Sequence, residues 1–163
     1  KQVNGQNSLQ VEAKRIDPSY IRDAKDIVQR KGNRKHLTIL GKLHACLYVI
    51  KFYGVSELPD KNYVMVFEWV ERGTLKEVYQ NFSLRWKEKI TIVRDICREL
   101  AFLQAVEILH HDIRCENVLI TEKMQPKLCN FKFAHKINAI ASQIDDMNAI
   151  IYWLAPEILN SYD

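Results

Sequence analysis

The residues best suited to chemistry fall in one short run, His110-His111-Asp112-Ile113-Arg114-Cys115-Glu116-Asn117. An aspartate five residues before an asparagine, here Asp112 and Asn117, can present a base and a metal ligand to one point. The run sits between a long periodic segment and a short apolar one, so it reads as a loop on a rigid scaffold, a usual place for function. A polar loop that only caps the preceding helix has the same composition, since short motifs also match by chance.

The elements that must position this loop show as periodicity. From about Leu84 to Gln104 the apolar residues Ile90, Val93, Ile96, Cys97, Leu100, Ala101 and Leu103 recur at threes and fours, which predicts the longest helix. Val118–Ile120 and Lys127–Cys129 read as short strands around a turn at Lys123-Met124-Gln125-Pro126. Upstream, Leu9 to Ile16 alternates apolar and polar residues, as a half-buried strand does. Asp17-Pro18 starts a helix whose apolar face is Ile21, Ala24, Ile27 and Val28. Gly32-Asn33 interrupts it, and a second periodic run passes through Leu37, Leu40 and Leu43. Val49–Val55 and Tyr63–Trp69 read as strands joined by a turn at Pro59-Asp60-Lys61-Asn62. Gly73-Thr74-Leu75 then caps a short helix to about Gln80. Strands first and helices after is an α+β order.

Bulk properties narrow the function classes. A chain of 163 residues with 47% hydrophobic and 27% charged residues has the balance of one ordinary globular domain. A net charge of +4 is too small to imply nucleic acid, and no apolar run is long enough to span a membrane. The start, Lys1-Gln2-Val3-Asn4-Gly5-Gln6-Asn7, lacks the apolar centre of a signal peptide. Cys46, Cys97, Cys115 and Cys129 are too scattered for zinc or a disulfide framework, and Cys97 reads as a small core residue. A cytoplasmic or nuclear location is the expectation, with no nucleic-acid or membrane partner. The basic cluster Arg30, Lys31, Arg34, Lys35 and His36 reads as a solvated helix end.

The Asp112–Asn117 loop resembles the catalytic loop of protein kinases, with two positions changed. Asn130-Phe131-Lys132 stands where that family has Asp-Phe-Gly, and Trp153-Leu154-Ala155-Pro156-Glu157 resembles the Ala-Pro-Glu that closes the activation segment. Phe67-Glu68-Trp69-Val70-Glu71-Arg72-Gly73-Thr74-Leu75 is similar to a kinase hinge. Val11-Glu12-Ala13-Lys14 resembles the strand that carries the phosphate-binding lysine. These five blocks keep the family's order across residues 9–159, and their wording is closest to the tyrosine-kinase-like group.

The resemblance implies a two-lobed protein-kinase-like fold of α+β class, incomplete at both ends. Residues 9–70 would form the small lobe and hinge, and 71–159 the large lobe through the activation segment. ATP and magnesium would be the cofactors, and a protein the substrate or partner. Asp112 would accept the substrate hydroxyl proton, and Arg114 replaces a lysine that contacts the transferred phosphate. Asn117 would hold one magnesium ion, and Asn130 stands at the second metal position. Lys14 would contact the nucleotide phosphates, unless it is an ordinary edge-strand lysine. The backbone of Glu68 and Val70 would bind adenine, with Phe67, a core residue in any case, behind it.

The departures weigh against catalysis. Asn130 lacks the anionic charge that holds hard magnesium, and losing one preorganised electrostatic element costs about a hundred- to a thousandfold in rate. Lys132 replaces a glycine beside the phosphates. The glutamate that should pair with Lys14 is His36 by motif register, and no glutamate occurs between Glu12 and Glu57. His111 replaces the arginine that receives a phosphorylated activation loop in many kinases, and Ala149-Ile150 replaces Gly-Thr. The expectation is a pseudokinase-type regulatory or scaffolding module, with weak ATP binding and weak or absent Mg2+ binding. An active Ser/Thr or Tyr kinase and a truncated fragment without independent function are the alternatives.

Overall fold

A computed structural model describes residues 11–15, 31–57, 59 and 63–137, with the backbone alone for 11–15 and 31–35. In chain order these form β1 (Val11–Arg15), α1 (Lys31–Leu43), β2 (Phe52–Glu57), β3 (Tyr63–Glu68), α2 (Leu75–Asn81), α3 (Trp86–Ala105) and β4 (Ile108–Leu109). A 3-10 turn at Cys115–Asn117 leads into β5 (Val118–Ile120) and β6 (Pro126–Leu128), and a second at Phe131–Phe133 leads into β7 (His135–Lys136). The mixture of strands and helices is the expected α+β class. The predicted helix from Asp17, the turn at Asp60-Lys61-Asn62 and the Ala-Pro-Glu block lie outside the described residues.

The first sheet has the order β1-β3-β2, antiparallel throughout. Its register pairs Glu12 with Phe67 and Lys14 with Met65. The predicted first strand is confirmed in its centre, whereas Val49 lies outside β2. Val49 instead forms a parallel bridge to Leu128, and Ile50 N–H donates to the Leu128 carbonyl at 2.9 Å. The stretch after α1 is thereby stitched to β6. β5 and β6 form a hairpin, and β4 pairs with β7, which frames the polar loop on both sides.

Gly32 and Asn33 lie within the helical span Lys31–Leu43, so they do not interrupt the apolar pattern there. α2 begins at Thr74, whose hydroxyl accepts from Glu77 N–H while Glu77 accepts from Thr74 N–H, a reciprocal cap. Gly73, at φ 72°, makes the left-handed turn into that cap, a conformation other residues adopt at a cost.

One apolar cluster runs through the described residues, from Ile39, Leu40 and Leu43 through Phe67, Leu75 and Val78 to Ile92, Leu103, Ile120, Leu128 and Phe131. α3 corrects the sequence reading. Its buried residues are Ile92, Glu99 and Leu103, with Ile96 and Leu100 packed alongside, whereas Ile90, Val93, Cys97 and Ala101 are exposed. Cys97 is therefore not a core residue. The helix carries two adjacent apolar stripes, and spacing alone cannot say which one meets the sheet. All four cysteines are free thiols.

Candidate functional site

The polar loop begins at His110, which β4 carries into the protein interior. Its Nε2–H donates to the Cys129 carbonyl at 2.8 Å, and its Nδ1 accepts from Asp112 N–H at 3.2 Å. This pairing requires the neutral ring. Burial holds the His110 pKa below the ordinary histidine value, in keeping with that tautomer. The ring also rests against Phe131, centroids 4.6 Å apart.

His111 turns the chain through a left-handed conformation at φ 64°. Its ring stacks on His135 of β7 at 4.2 Å, with the Nε2 atoms 3.2 Å apart. Burial, then His135 and His110, depress the His111 pKa, which favours the neutral ring.

Asp112 is buried, its side chain fully so. Oδ1 forms an ion pair with Arg114 Nε at 3.2 Å, which lacks hydrogen-bond geometry. Oδ2 accepts from Asn130 Nδ2 at 3.3 Å. The 3-10 turn places Asn117 below it: Asn117 Nδ2 donates to the Asp112 carbonyl at 2.8 Å, and Cys129 N–H donates to the Asn117 carbonyl at 2.9 Å. Asn130, in a left-handed conformation that asparagine tolerates, completes the cluster by donating from Nδ2 to Asn117 Oδ1 at 3.1 Å.

Asp112, Asn117 and Asn130, which are separated by up to 18 residues, therefore converge, and Arg114 joins them. A cavity of about 480 Å³ opens beside them, lined by Leu40, Ile50, Phe67, Leu119 and Phe131, with His36, Thr74, Glu116, Asn117 and Asn130 as its polar groups. His36 of α1 thus lines the same cavity as Asn130. Glu68 and Val70 lie at the end of β3, where Glu68 exchanges backbone and side-chain hydrogen bonds with Lys51. Lys14 is placed only by its register opposite Met65.

The donor set does not fit a magnesium ion. Neither Asn117 nor Asn130, the two metal positions, carries a charge, and the Asn130 NH2 donates to Asn117 Oδ1, the oxygen that would meet the metal. Among the described residues no three His, Cys, Asp or Glu side chains cluster as metal ligands.

One ion pair and one buried carboxyl carried no distinct sequence signal. Glu68 forms a largely buried ion pair with Lys127 of β6, 59 residues away. Glu99 is fully buried on α3 with no hydrogen-bond partner for either carboxyl oxygen among the described residues. Burial, and then Asp95, push its pKa up to about 9. Its spacing from Ile92, Ile96 and Leu103 was the available clue, masked by its charge.

The protein kinase domain family model matches residues 1–163, so the chain belongs to the protein kinase family. A probable serine/threonine-protein kinase of Dictyostelium discoideum is 29% identical over 155 residues, 94% of this chain and 16% of its own length. Another from the same organism is 31% identical over 159 residues, 96% of this chain and 31% of its own. A serine/threonine-protein kinase of Saccharomyces cerevisiae is 27% identical over 126 residues, 77% of this chain and 12% of its own. The chain spans less than a third of the length of these relatives. Protein kinase domains in general use ATP with Mg2+ and act on protein substrates. No described helix is long and apolar enough to cross a membrane.

Proposed function

We propose that this chain is a pseudokinase-type module of intracellular signalling, of the tyrosine-kinase-like group, that regulates or scaffolds a protein partner and binds ATP weakly. The observation that carries this reading is the state of Asp112. A general base must reach a substrate hydroxyl at hydrogen-bond distance. The Asp112 carboxylate is instead buried, held by Arg114 on one oxygen and Asn130 on the other. The stacked His111–His135 pair supports the same reading. The His111 ring, its pKa depressed by burial and its neighbours, stands where an arginine would otherwise meet an activation-loop phosphate, and a neutral ring holds a phosphate poorly.

An active serine/threonine kinase is the second reading, favoured by the convergence of Asp112 with Asn117 and by the names of the relatives. Transfer of radiolabelled phosphate from ATP to a generic protein acceptor separates the two, with Asp112→Ala as control. The module reading expects no transfer above the control. Asp112-dependent transfer by the unaltered protein would replace it with the active-kinase reading.

A further inference from the structure

A second cavity, of about 450 Å³, lies between the first half of α3 and the turn of the β5–β6 hairpin, and it shares no lining residue with the cavity beside Asn130. Its charges are unbalanced. Arg85, Lys87, Arg94 and Lys123 line it against two carboxylates, Glu88 and Asp95. Both carboxylates are already engaged. Glu88 accepts from Arg85 N–H at 2.8 Å and from the Arg85 guanidinium at 3.0 Å. Asp95 Oδ1 takes Arg94 at 3.0 Å and Arg98, one turn on, at 3.1 Å. Lys87 and Lys123 stand exposed on opposite walls, and neither has an acidic partner among the described residues. The walls themselves are fixed. One is helical, and the other is a turn closed by three hydrogen bonds. Thr121 Oγ1 accepts from Gln125 N–H at 3.1 Å, the Gln125 carbonyl accepts from Thr121 N–H at 3.0 Å, and the Thr121 carbonyl accepts from Met124 N–H at 2.9 Å. Half-buried Met124 gives the cleft an apolar contact.

We propose that this cleft docks an acidic peptide segment of a protein partner, with Lys87 and Lys123 meeting its carboxylates and Met124 an apolar side chain. The inference deepens the partner-binding part of the function proposed above. Charge complementarity selects the class of ligand. An arriving carboxylate breaks no internal ion pair at either lysine, and walls already in place need little backbone ordering to receive it. Glu88 and Asp95 select against denser anions. Phosphates follow one another closely along a nucleic-acid strand, and headgroups crowd an anionic membrane, so both would meet these two carboxylates as well as the lysines. Carboxylates spaced along a peptide reach the lysines and miss the acids.

The test uses the intact protein without nucleotide, and a short fluorescein-labelled peptide of alternating glutamate and serine with one central leucine. Fluorescence anisotropy should show saturable binding at low salt that weakens as salt rises. Lys87→Glu with Lys123→Glu should weaken it about tenfold, as loss of two exposed charge contacts would. Lys42→Glu with Lys136→Glu, at two exposed lysines of α1 and β7, makes the same change in net charge away from the cleft. That control should alter binding by less than about twofold. A peptide with lysine in place of glutamate should bind the cleft variant more tightly than the control variant of equal net charge. Absence of saturable peptide binding would overturn the inference, as would equal losses in the two variants. Tighter cleft-dependent binding of a thymidine oligonucleotide, or of phosphatidylserine vesicles, would overturn it too and give the cleft to nucleic acid or membrane. Peptide binding is read without ATP, whereas the module reading falls only to Asp112-dependent phosphate transfer, so the two fail separately.

Discussion

His110 donates through Nε2–H to the carbonyl of Cys129, 19 residues along the chain, and so ties the start of the polar loop to the residue before Asn130. Removing the ring would take the His110 donor from that carbonyl and the acceptor from Asp112 N–H, and open a void against Phe131. His110→Ala should therefore lower unfolding stability by about 2–4 kcal/mol, read as a shift in urea midpoint at unchanged slope. The sign of its pH dependence follows from the depressed pKa. The histidine's contribution is fully present above the ordinary value of 6.5 and is lost as pH falls through the lower folded value. The acid limb of a stability profile should flatten in the variant.

Glu99 predicts the opposite slope. Its folded pKa of about 9 lies above the ordinary 4.5, so its contribution is full below 4.5 and is lost as pH rises toward 9. Glu99→Gln should remove that slope, and Glu99→Leu should stabilise the protein at neutral pH by about 1–3 kcal/mol, the cost of an unpartnered buried polar group. Melting curves across this pH range check both. A destabilised Glu99→Leu protein would mean that the carboxyl has a partner in solution.

Lys127 links β6 to the end of β3 through Glu68. Lys127→Met should strand the Glu68 carboxylate with only Lys51 N–H as its donor, at a cost of about 1–3 kcal/mol. Lys127→Met with Glu68→Gln should recover part of this loss. Chemical denaturation of the two singles and the double gives the coupling directly, and a coupling near zero would make the pair a passive contact.

Catalysis should be partly recoverable by reversing the departures together. Asn130→Asp with Lys132→Gly restores an anionic metal position next to Asn117, and His36→Glu adds a carboxylate on the wall of the same cavity. Groups that act as one unit are far from additive, so the triple variant should exceed the sum of the single changes in phosphate transfer. Its activity should vanish with Asp112→Ala. A triple variant as inactive as the unaltered protein would show that the defect is not mainly electrostatic.

Local spacing was enough to find the parts. The β5–β6 hairpin, the capped helix after Gly73 and the loop from His110 to Asn117 lie within a residue or so of where composition and periodicity put them, because short-range hydrogen bonding determines them. The meeting of Asp112 and Asn117 was legible in their spacing, but that Asn130 joins them was legible only through resemblance to a family, since nothing in its spacing points back to Asp112. Tertiary packing decided the rest. It selected the Ile92–Ile96–Glu99–Leu103 stripe of α3 over its apolar neighbour, because a helix with two such stripes buries whichever one the sheet meets. It also brought Lys127 to Glu68 and turned the Asn130 amide toward its two acceptors. Those contacts depend on distances between elements far apart in sequence, and no local pattern encodes them.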